Sequence, residues 1–552
     1  MKTLTPVEHI KANSRGLRGT IQQSLSAPLS GGLLADDQQL LRLHGSYQQD
    51  DRDVREARRL TKLEPLHRFM VRVRLPGGEL SSTQLLKLIE LAHLYGQGAL
   101  RLTTRQTFQF HGIVKNELKS TMQGLQQGLM DSIATCGDVN RNVMATSAAI
   151  DTPAETEVLA LANKLSQHCL PKTRAYHEIW LDGEALDGPV EEEPLYGKTY
   201  LPRKFKTAFA IPPYNDTDIY TQDLGFVAII EQHQLVGFNL LIGGGMGSTH
   251  RDQTTYPRLA DVVGFFPKEQ LLDFAEAVIK VQRDLGNRTS RPHARFKYTI
   301  EEHGLARVVT AIEKYANASL QPARPAELLY QGDRFGWVQT TDQRWRRILR
   351  FPAGRLKNTP ELALLDGLAA LAQLQKAVFR CTPNQNLMIA GISTADKSQF
   401  DELINQYQLD QFERQSPLKR DALACVALPT CPLAMAEAER YLPALTTLVD
   451  RLMDELDLGN QPLSLRITGC PNGCARPHVA EIALIGKAMG RYNLYVGGNA
   501  AGSRLAELVK ENIDEAQIIN SLRDMLGRYS AERVNAERFG DFYHRVLRDV
   551  RE

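Results

Sequence analysis

The sequence contains one pattern twice, and this internal duplication restricts the possible folds more than any other feature. Residues 75–113 and residues 351–392 both read as strand, Gly/Pro turn, helix, strand, turn and strand. In each copy a capping Ser or Thr precedes an apolar run with helical spacing, and Pro360 suits the first turn of the second helix. Identical residues recur near the ends of the copies: Arg101 and Arg380, Thr103 and Thr382, Gln106 and Gln385, Gly112 and Gly391.

A second, shorter sequence repeat lies downstream of each copy. NLLIGG at 239–244 returns as NLYVGG at 493–498, at a comparable distance from its own copy. With 552 residues the chain is also too long for a single hydrophobic core. We therefore expect an α+β protein made of two fused halves, each an α+β unit followed by a larger mixed domain.

The two copies differ in one strand. In the first copy, TFQFHG at 107–112 alternates aromatic with polar side chains, so a strand would present Gln109 and His111 on its polar face. The second copy has Met388 and Ala390 at these positions, which makes the same face apolar. The first half therefore keeps a polar surface that the second half has lost.

Cations accumulate in the motifs of the first half. Any single arginine is more often a solvated surface residue, and a lone His111 is more often structural than a ligand. Here, however, basic residues recur at predicted strand ends and turns: Arg74, Arg101, Arg105, Arg141, Arg203, Lys204 and Lys206. Such an accumulation predicts a polyanionic ligand.

The composition excludes several classes of protein. The formal net charge of +2 argues against a general nucleic-acid-binding surface. No apolar run approaches the length of a membrane helix, and the N-terminus lacks the apolar segment of a secretory signal. We expect a cytoplasmic protein with no membrane and no nucleic-acid partner.

Four of the seven cysteines lie close together in the sequence. Cys425 and Cys431 are spaced C-x5-C, and Cys470 and Cys474 are spaced C-x3-C within TGCPNGC. Thiolates select zinc or an iron–sulfur cluster, and C-x5-C is longer than a usual zinc knuckle. The spacing favours a cluster, with zinc and unligated thiols as alternatives. A cluster in one half and an anion pocket in the other indicate an electron-transfer enzyme.

The motifs TTRQTFQFHGI, C-x5-C and TGCPNGC together resemble those of the sulfite and nitrite reductases, the family that pairs sirohaem with a [4Fe–4S] cluster. The resemblance extends over essentially the whole chain. It implies two ferredoxin-like α+β units and two larger mixed α/β sirohaem and iron–sulfur domains, related by pseudo-two-fold symmetry. The expected segments are an N-terminal extension (1–60), ferredoxin-like half 1 (61–150), a sirohaem-binding domain (151–334), ferredoxin-like half 2 (335–410) and a [4Fe–4S]/sirohaem domain (411–552).

The resemblance also implies roles for individual residues. The [4Fe–4S] ligands would be Cys425, Cys431, Cys470 and Cys474, with Cys474 also the axial ligand of the sirohaem iron. The cations around the substrate would be Arg74, Arg141, Lys204 and Lys206. Residues facing the sirohaem would be Arg101, Thr103, Arg105, Gln109, His111, Arg203, Gln385, Asn472 and Arg476, joined by one arginine of 288–295, in the first place Arg295. Sirohaem carries many carboxylates, which explains the demand for cations.

The activity implied by the resemblance is the six-electron reduction of sulfite to sulfide in sulfur assimilation. IGGGMG at 242–247 lacks the spacing of a dinucleotide fingerprint, so the chain would not bind NADPH itself. The N-terminal motifs LRGTIQQSLSAPLSGG and HGSYQQDDRDVREAR resemble those of family members that form a hetero-oligomer with an FAD- and FMN-containing flavoprotein. The polar N-terminal extension would then be an extended docking arm that orders on binding; the alternative is a loose surface belt on its own subunit.

Three alternatives remain at this point. Ferredoxin could replace the flavoprotein as the electron donor. A nitrite reductase would share the fold and both cofactors, although nitrite-preferring members generally carry KFN where this chain has KFK with Lys206. A zinc-stapled nucleic-acid-binding protein is the remote third. The sequence departs from many relatives at Ala145, where they have cysteine; this removes any thiol chemistry there.

Overall fold

The computed structural model describes residues 3–147, 152–172, 180–181, 184–185 and 193–549. The strands in chain order are β1 (Ser46–Asp50), β2 (His67–Arg72), β3 (Glu79–Ser81), β4 (Ala99–Leu102), β5 (Phe108–Ile113), β6 (Met144–Ala145), β7 (Trp180–Leu181), β8 (Glu184–Ala185), β9 (Thr207–Ala210), β10 (Leu224–Glu231), β11 (Gln234–Ile242), β12 (Asp261–Pro267), β13 (Gly336–Gln339), β14 (Trp345–Leu349), β15 (Arg355–Lys357), β16 (Val378–Cys381), β17 (Leu387–Ile392), β18 (Leu423–Ala424), β19 (Leu465–Thr468), β20 (Ile482–Ala488), β21 (Arg491–Val496) and β22 (Glu507–Ile513).

The helices interleave with these strands. In chain order they are α1 (Pro6–Ala12), α2 (Ile21–Ser26), α3 (Ala35–Leu41), α4 (Arg55–Leu60), α5 (Ser82–Tyr95), α6 (Leu118–Gln127), α7 (Pro153–His168), α8 (Leu271–Leu285), α9 (Phe296–His303), α10 (Leu305–Ala316), α11 (Leu364–Gln373), α12 (Lys397–Gln406), α13 (Pro417–Asp421), α14 (Leu442–Glu455), α15 (Glu515–Glu532) and α16 (Phe539–Phe542). Among the described residues, no helix is both long and apolar enough to cross a bilayer.

The duplicated units form two five-stranded sheets that exchange a strand. Their orders are β1-β2-β5-β4-β15 and β13-β14-β17-β16-β3. Strand β3 of the first copy pairs with β16 of the second, and β15 of the second pairs with β4 of the first. Side chains of α5 and α11 also share one apolar core, which contains Leu88 and Leu368. The two units are therefore packed as one body.

The helix of each unit begins where local chemistry allows it. Ser81 and Gln84 form a capping box, with Ser81 Oγ accepting from Gln84 N at 3.2 Å and Gln84 Oε1 accepting from Ser81 N at 2.9 Å. In the second copy the helix begins only at Leu364. The expectation that Pro360 lies in the first helical turn was therefore wrong, because residues 360–363 form a bend and a bridge before the helix.

The two larger sheets have the same topology. One has the order β12-β11-β10-β9-β6 and the other the order β18-β19-β20-β21-β22. In both sheets, the three strands at the β6 or β18 edge are parallel to one another. Each of the two remaining strands is antiparallel to the strand before it. The recurring NLLIGG and NLYVGG stretches lie at the ends of β11 and β21. Each sheet packs against its own core.

The N-terminal extension is folded onto the rest of the chain. Strand β1 pairs with β2 of the first unit. Leu17 and Leu40 join the core of the first large sheet, and Glu8 and Lys11 of α1 are buried. The extended conformation expected for this segment is not what the structure has, because strand pairing and buried ion pairs stabilise a packed one.

Candidate active site

The topology of the second large sheet brings the cysteines together. Cys425 follows β18, and Cys470 and Cys474 follow β19. Because β18 and β19 are parallel neighbours, their carboxyl ends meet at one edge of the sheet. The backbone N–H of Gly469 donates to Cys425 Sγ at 3.3 Å, which ties the two segments together. We call residues 425–431 and 470–474 the cysteine loops.

The thiols of the cysteine loops affect one another electrostatically. Burial, reinforced by the nearby charge of Cys474, raises the pKa of Cys425 well above its usual value and that of Cys470 to about 12. Burial and Cys474 also raise the pKa of Cys431. Four thiolates can therefore coexist here only if a cation such as iron compensates their charge. The donor set fits an iron–sulfur cluster, and within the described part of the chain no group of three or more Cys, His, Asp or Glu side chains is arranged to hold a single metal ion.

The glycine-rich loop of the first half packs against the cysteine loops. Ser248 N donates to Pro471 O at 2.9 Å. A Cβ on Gly247 would lie 3.1 Å from Asn472 O, and one on Gly473 would lie 3.1 Å from Met246 O. The spacing of IGGGMG does not fit dinucleotide binding. Its small residues instead let the backbones of the two halves approach closely.

Two lysines lie together at the start of β9, in the segment LPRKFK. Lys204 Nζ and Lys206 Nζ make no hydrogen bond or ion pair with any described residue. Burial, together with the charges of Arg203 and Arg295, lowers the pKa of Lys204 to about 7. Burial and the charge of Lys204 lower the pKa of Lys206 well below its usual value. Among the described residues, these two amino groups have no anionic partner to offset the cost of burying their charge.

Cys474 lies within electrostatic reach of both lysines. Its negative charge opposes the lowering of the pKa of Lys204 and Lys206, whose first cause is burial. Cys474 is also the exposed member of the four thiols. The two features that the sequence separates by more than two hundred residues therefore come within electrostatic range of each other.

Further cations surround this point, and some of their donors have no partner. Arg141 donates to the uncharged carbonyls of Gly137 at 2.8 Å and Thr135 at 3.1 Å. Arg105 donates to Gln222 Oε1 at 2.9 Å, yet its Nε is buried without a partner among the described residues. Burial, together with Arg141 and other arginines, lowers the pKa of Arg105 to about 9. We call Arg105, Arg141, Arg203, Lys204 and Lys206 the cation pocket.

The cation pocket fits a ligand with several carboxylates. Burial, and then repulsion by neighbouring cations, lowers the pKa values of Arg105, Arg203, Lys204 and Lys206, and an anionic ligand would restore them. Orphaned buried donors such as Arg105 Nε and Arg74 Nη1 point to partners outside the described chain. Arg74 is otherwise paired with Asp131 at 2.6 Å.

Three predicted cofactor residues already have acidic partners. Arg101 pairs with Glu439 at 2.8 Å, and Arg295 pairs with Asp223 at 2.8 Å. Arg476 Nε pairs with the buried carboxylate of Asp218. These arginines brace the site: Arg101 also donates to Ala424 O, next to Cys425, at 3.0 Å. Contacts with sirohaem stay a prediction for all three.

The polar residues predicted to face the cofactor lie at the same interface. Burial and the charges of Arg355, Arg101 and Arg72 lower the pKa of His111 well below its usual value, so the ring is neutral. Its strand neighbour Gln109 is buried beside it. The other members are placed by backbone contacts: Thr103 Oγ1 accepts from Arg105 N, Gln385 Nε2 donates to Ala424 O, and Asn472 lies against Gly247.

The structure adds two residues that sequence reasoning missed. Lys297 is fully buried and donates to Gly245 O at 3.1 Å, Gly247 O at 2.9 Å and Tyr256 O, so it holds the glycine-rich loop in place. Thr104 Oγ1 donates to Cys474 O at 2.9 Å. Lys297 follows the arginine-rich stretch 288–295 and Thr104 stands in TTRQTFQFHGI, but no spacing rule distinguishes either residue there.

A tetrathiol site facing a cation pocket, on a duplicated α+β fold, defines a class of redox enzymes with an iron–sulfur cluster and an anionic organic cofactor. The chain belongs to the nitrite and sulphite reductase family. The family's ferredoxin-like half domain matches residues 62–128 and 339–407, and its 4Fe-4S domain matches residues 160–320. The latter match covers the first large domain, whereas the four cysteines lie in the second copy of the same topology.

Individual relatives agree with this. A protein of Xanthomonas campestris pv. campestris named sulfite reductase [NADPH] hemoprotein beta-component is 53% identical over 543 residues, which cover 98% of this chain and 96% of the relative. A Myxococcus xanthus protein of the same name is 52% identical over 548 residues, covering 99% of this chain and 97% of the relative. The structure of Mycobacterium tuberculosis NirA matches with a TM-score of 0.77 at 22% identity, over 98% of this chain and 95% of that one, which shows the shared fold.

These matches confirm the expected family, the duplicated α+β fold and the oxidoreductase class with its [4Fe–4S] cluster and sirohaem. The zinc alternative is thereby set aside. The roles of individual residues and the segment boundaries are not tested by the matches and stay predictions.

Proposed function

We propose that the chain is the haemoprotein subunit of an assimilatory, cytoplasmic sulfite reductase that reduces sulfite to sulfide with six electrons from NADPH, delivered by an FAD- and FMN-containing flavoprotein. The names of relatives that are about half identical over nearly the full length support the substrate and the donor. The observation that carries the proposal is the pair of lysines, Lys204 and Lys206, which have no partner among the described residues and lie within electrostatic range of Cys474.

The residues that would hold the cofactors follow from the site. The four cysteines would bind the cluster, and the cation pocket together with Arg74 would hold the sirohaem carboxylates and the substrate. When bound, the cluster and sirohaem supply electrons to the substrate at a shared centre. The bracing ion pairs of Arg101 and Arg476 connect the first half to the cysteine loops and keep the two parts of the site at a fixed separation.

The chain's own residues provide charge and protons. Sulfite is an anion, and fixed cations in a poorly hydrated pocket stabilise the negative charge that grows as electrons arrive. The reaction also consumes at least six protons, since three oxygens leave as water. A lysine with a pKa of about 7, as at Lys204, can donate a proton near neutral pH, whereas an arginine effectively cannot.

The surface beside the cysteine loops suits an electron donor. Helix α4 buries none of its residues, and its last residue, Leu60, is 70% exposed. The preceding Arg52 donates to Ala434 O, and its backbone N–H donates to Pro429 O at 3.2 Å, so this segment lies against the first cysteine loop. Leu433, two residues beyond that loop, is 61% exposed. We expect the flavoprotein to dock here, beside the loop that would hold part of the cluster.

The function is tested first by spectroscopy and assay. The purified protein should show the visible and EPR signatures of a coupled haem and cluster, which change when sulfite is added. With a viologen reductant it should convert sulfite to sulfide. Lys206→Asn should shift the preference from sulfite towards nitrite, measured as the ratio of the two kcat/KM values. A colourless, iron-free protein from cells that make both cofactors would refute the proposal.

The donor needs a separate test, because deleting residues 1–60 would also remove β1 and the buried part of α1. Arg59→Glu reverses a charge on the exposed face of α4 and should lower the flavoprotein-driven rate about fivefold while leaving the viologen-driven rate unchanged. Arg528→Glu is the matched control, since Arg528 is also an exposed arginine paired within its own helix, but on α15. Equal rates for both variants with the flavoprotein would exclude α4 as the docking helix.

A further inference from the structure

A buried ion network connects the N-terminal helix to the large domain of the first half. Lys11 and Glu8 of α1 are each only 2% exposed. Lys11 Nζ lies 2.6 Å from Glu8 Oε1 and 3.4 Å from Asp138 Oδ2, and it donates to Leu201 O at 2.9 Å. A single ammonium group therefore holds together three segments of the chain that are distant in sequence.

Two arginines complete the network from the far side. Arg291 donates to both carboxylate oxygens of Asp138, at 2.7 and 2.8 Å, and to Pro202 O at 2.6 Å. Arg288 pairs with Glu8 at 2.5 Å and donates to Tyr200 O at 2.7 Å. The network is well satisfied, because its acidic and basic groups have charged or carbonyl partners.

The two segments that the network joins carry the cations of the pocket. We call residues 137–141 and 200–206 the substrate loops. Beyond Asp138 the first loop reaches Arg141, and beyond Leu201 the second reaches Arg203, Lys204 and Lys206. The loops continue side by side, since Phe205 N donates to Val139 O at 3.2 Å and Arg141 N donates to Phe205 O at 2.8 Å.

The electrostatics of the network explain why Lys11 is needed. Although burial opposes it, the charges of Arg291 and Lys11 lower the pKa of Asp138, so its carboxylate is ionised. Without Lys11, the carboxylates of Glu8 and Asp138 would each lose a cationic partner in a buried position. The least costly response is for the substrate loops to separate and admit water, which would move Arg141 away from the lysines.

We propose that Lys11 is a positioning residue for the anion pocket: through Asp138 and Leu201 it sets the spacing of the substrate loops, so the N-terminal helix is part of the substrate-binding machinery. The identity of the anion rests on the proposed function, but the loop geometry does not. The N-terminal extension would then combine two roles, since α4 faces the donor and α1 supports the substrate site.

The test is Lys11→Met in the cofactor-loaded protein. With a viologen reductant, the KM for sulfite should rise about tenfold while kcat stays within about twofold, because displaced cations weaken anion binding more than electron delivery. Amide hydrogen exchange should become faster at residues 137–141 and 200–206. Haem and iron contents should not change.

The matched control is Lys115→Met. Lys115 is also a buried lysine that anchors the N-terminal extension, through Ser24 O at 3.3 Å, Ala27 O at 2.5 Å and Ser30 O at 2.5 Å, but it does not contact the substrate loops. Its substitution should leave the KM for sulfite and the exchange of both substrate loops as in the parent protein.

The outcomes separate the inference from the proposed function. An unchanged KM with unchanged loop exchange in Lys11→Met would overturn the inference, as would a parallel loss of kcat and cofactor that reports only general damage. If Lys11→Met does not fold, Glu8→Gln decides, since it removes one charge from the same network and should raise the KM by a smaller factor. Absence of sulfite reduction in the parent protein would refute the function, while the exchange experiment would still test the network.

Discussion

The two large domains share one backbone design and differ at the positions that carry chemistry. In the second domain, Gly469 N donates to Cys425 Sγ at 3.3 Å. In the first domain, the equivalent donor after β9 is Ile211 N, and it donates to Thr146 Oγ1 at 3.0 Å. The same structural position thus holds a thiol in one half and a hydroxyl in the other. Only the second half therefore offers a soft thiol at this position.

The reverse holds for the cations. The residue before β9 is Lys206, whose backbone N–H donates to Asp223 at 2.9 Å. The residue before β19 is Ser464, whose backbone N–H donates to Glu481, also at 2.9 Å. The acidic partner is retained in both domains, but the ammonium group is present only in the first. The thiol of Cys425 and the ammonium group of Lys206 thus lie in different halves of the duplicated chain.

The halves meet through a pair of equivalent residues. Asp218 lies six residues before β10, and Arg476 lies six residues before β20. Both adopt positive φ, 48° and 52°, and their side chains form a buried ion pair. A pseudo-two-fold rotation would exchange these two positions, so the ion pair lies at the pseudo-symmetry axis. One position is acidic and the other is basic, so the pair does not obey the symmetry.

The largest effect is expected from making the second half resemble the first at the cluster. Cys425→Thr introduces the hydroxyl found at the first-half position and should remove the cluster, because a hydroxyl is a poor ligand for iron. Activity should fall by about a thousandfold or more. Iron, acid-labile sulfide and the EPR spectrum provide the measurement. Thr146→Ser is the control and should retain its iron; normal iron in Cys425→Thr would show that this thiol is not a ligand.

The second-largest effect is expected from removing the buried carboxylate of Asp218 at the pseudo-symmetry axis. Asp218→Asn leaves the buried guanidinium groups of Arg476 and Arg466 without their carboxylate and should cost about 3 kcal/mol of unfolding free energy. Denaturant unfolding measures it. Asp53→Asn removes the carboxylate of an exposed pair with Arg440 and should cost less than about 1 kcal/mol. Similar losses in the two variants would mean that the axis pair does not stabilise the contact between the halves.

The third prediction concerns the ammonium group of Lys206, which has no counterpart in the second half. Lys206→Ala should lower kcat about a hundredfold, as expected for loss of a proton donor, while sirohaem content stays near that of the parent protein. Ser464→Ala at the equivalent position of the second half should leave kcat within about twofold. Parallel losses of turnover and sirohaem in Lys206→Ala would assign Lys206 to cofactor binding rather than to chemistry.

The smallest predicted effect concerns pH. Lys204 has a pKa of about 7 in the folded, cofactor-free chain, against a usual value of 10.5. Between these values the unfolded chain binds more protons, so stability rises with pH in this window. From pH 7 to pH 9 the opening free energy at β9 should increase by about 2 kcal/mol, whereas β19 should not change. Hydrogen exchange measures both strands, and Lys204→Met should abolish the difference.

Much of the fold could be predicted from local patterns. The repeated motif of residues 75–113 and 351–392 predicted two equivalent units, and the matching strands and helices confirm it. The start of the second helix was misplaced, because a proline near a helix is compatible with a preceding bend as well as with the first turn. The strand exchange between β3 and β15 was not predictable, since pairing between strands far apart in sequence leaves no local periodicity.

Some features of the candidate site were likewise predictable from the sequence, and others were not. The spacing of the cysteines and the concentration of cations in the first half were visible in the sequence, because ligand type and charge are properties of the residues themselves. The sequence could not show which cations are already neutralised. Arg295 and Arg476 have acidic partners 72 and 258 positions away, whereas Lys204 and Lys206 have none among the described residues.

The sequence by itself determined the duplication, the four thiols and the asymmetry of charge between the halves. The tertiary structure decided which of these features face one another and which segments support them. Cys474 and Lys206 come within electrostatic range only through the packing of the two halves, and α1 reaches the substrate loops through Lys11, which contacts Asp138 and Leu201. The reason is physical: residue type fixes what a side chain can bind, but the energy of an ion pair depends on distance and burial, which only the folded chain sets.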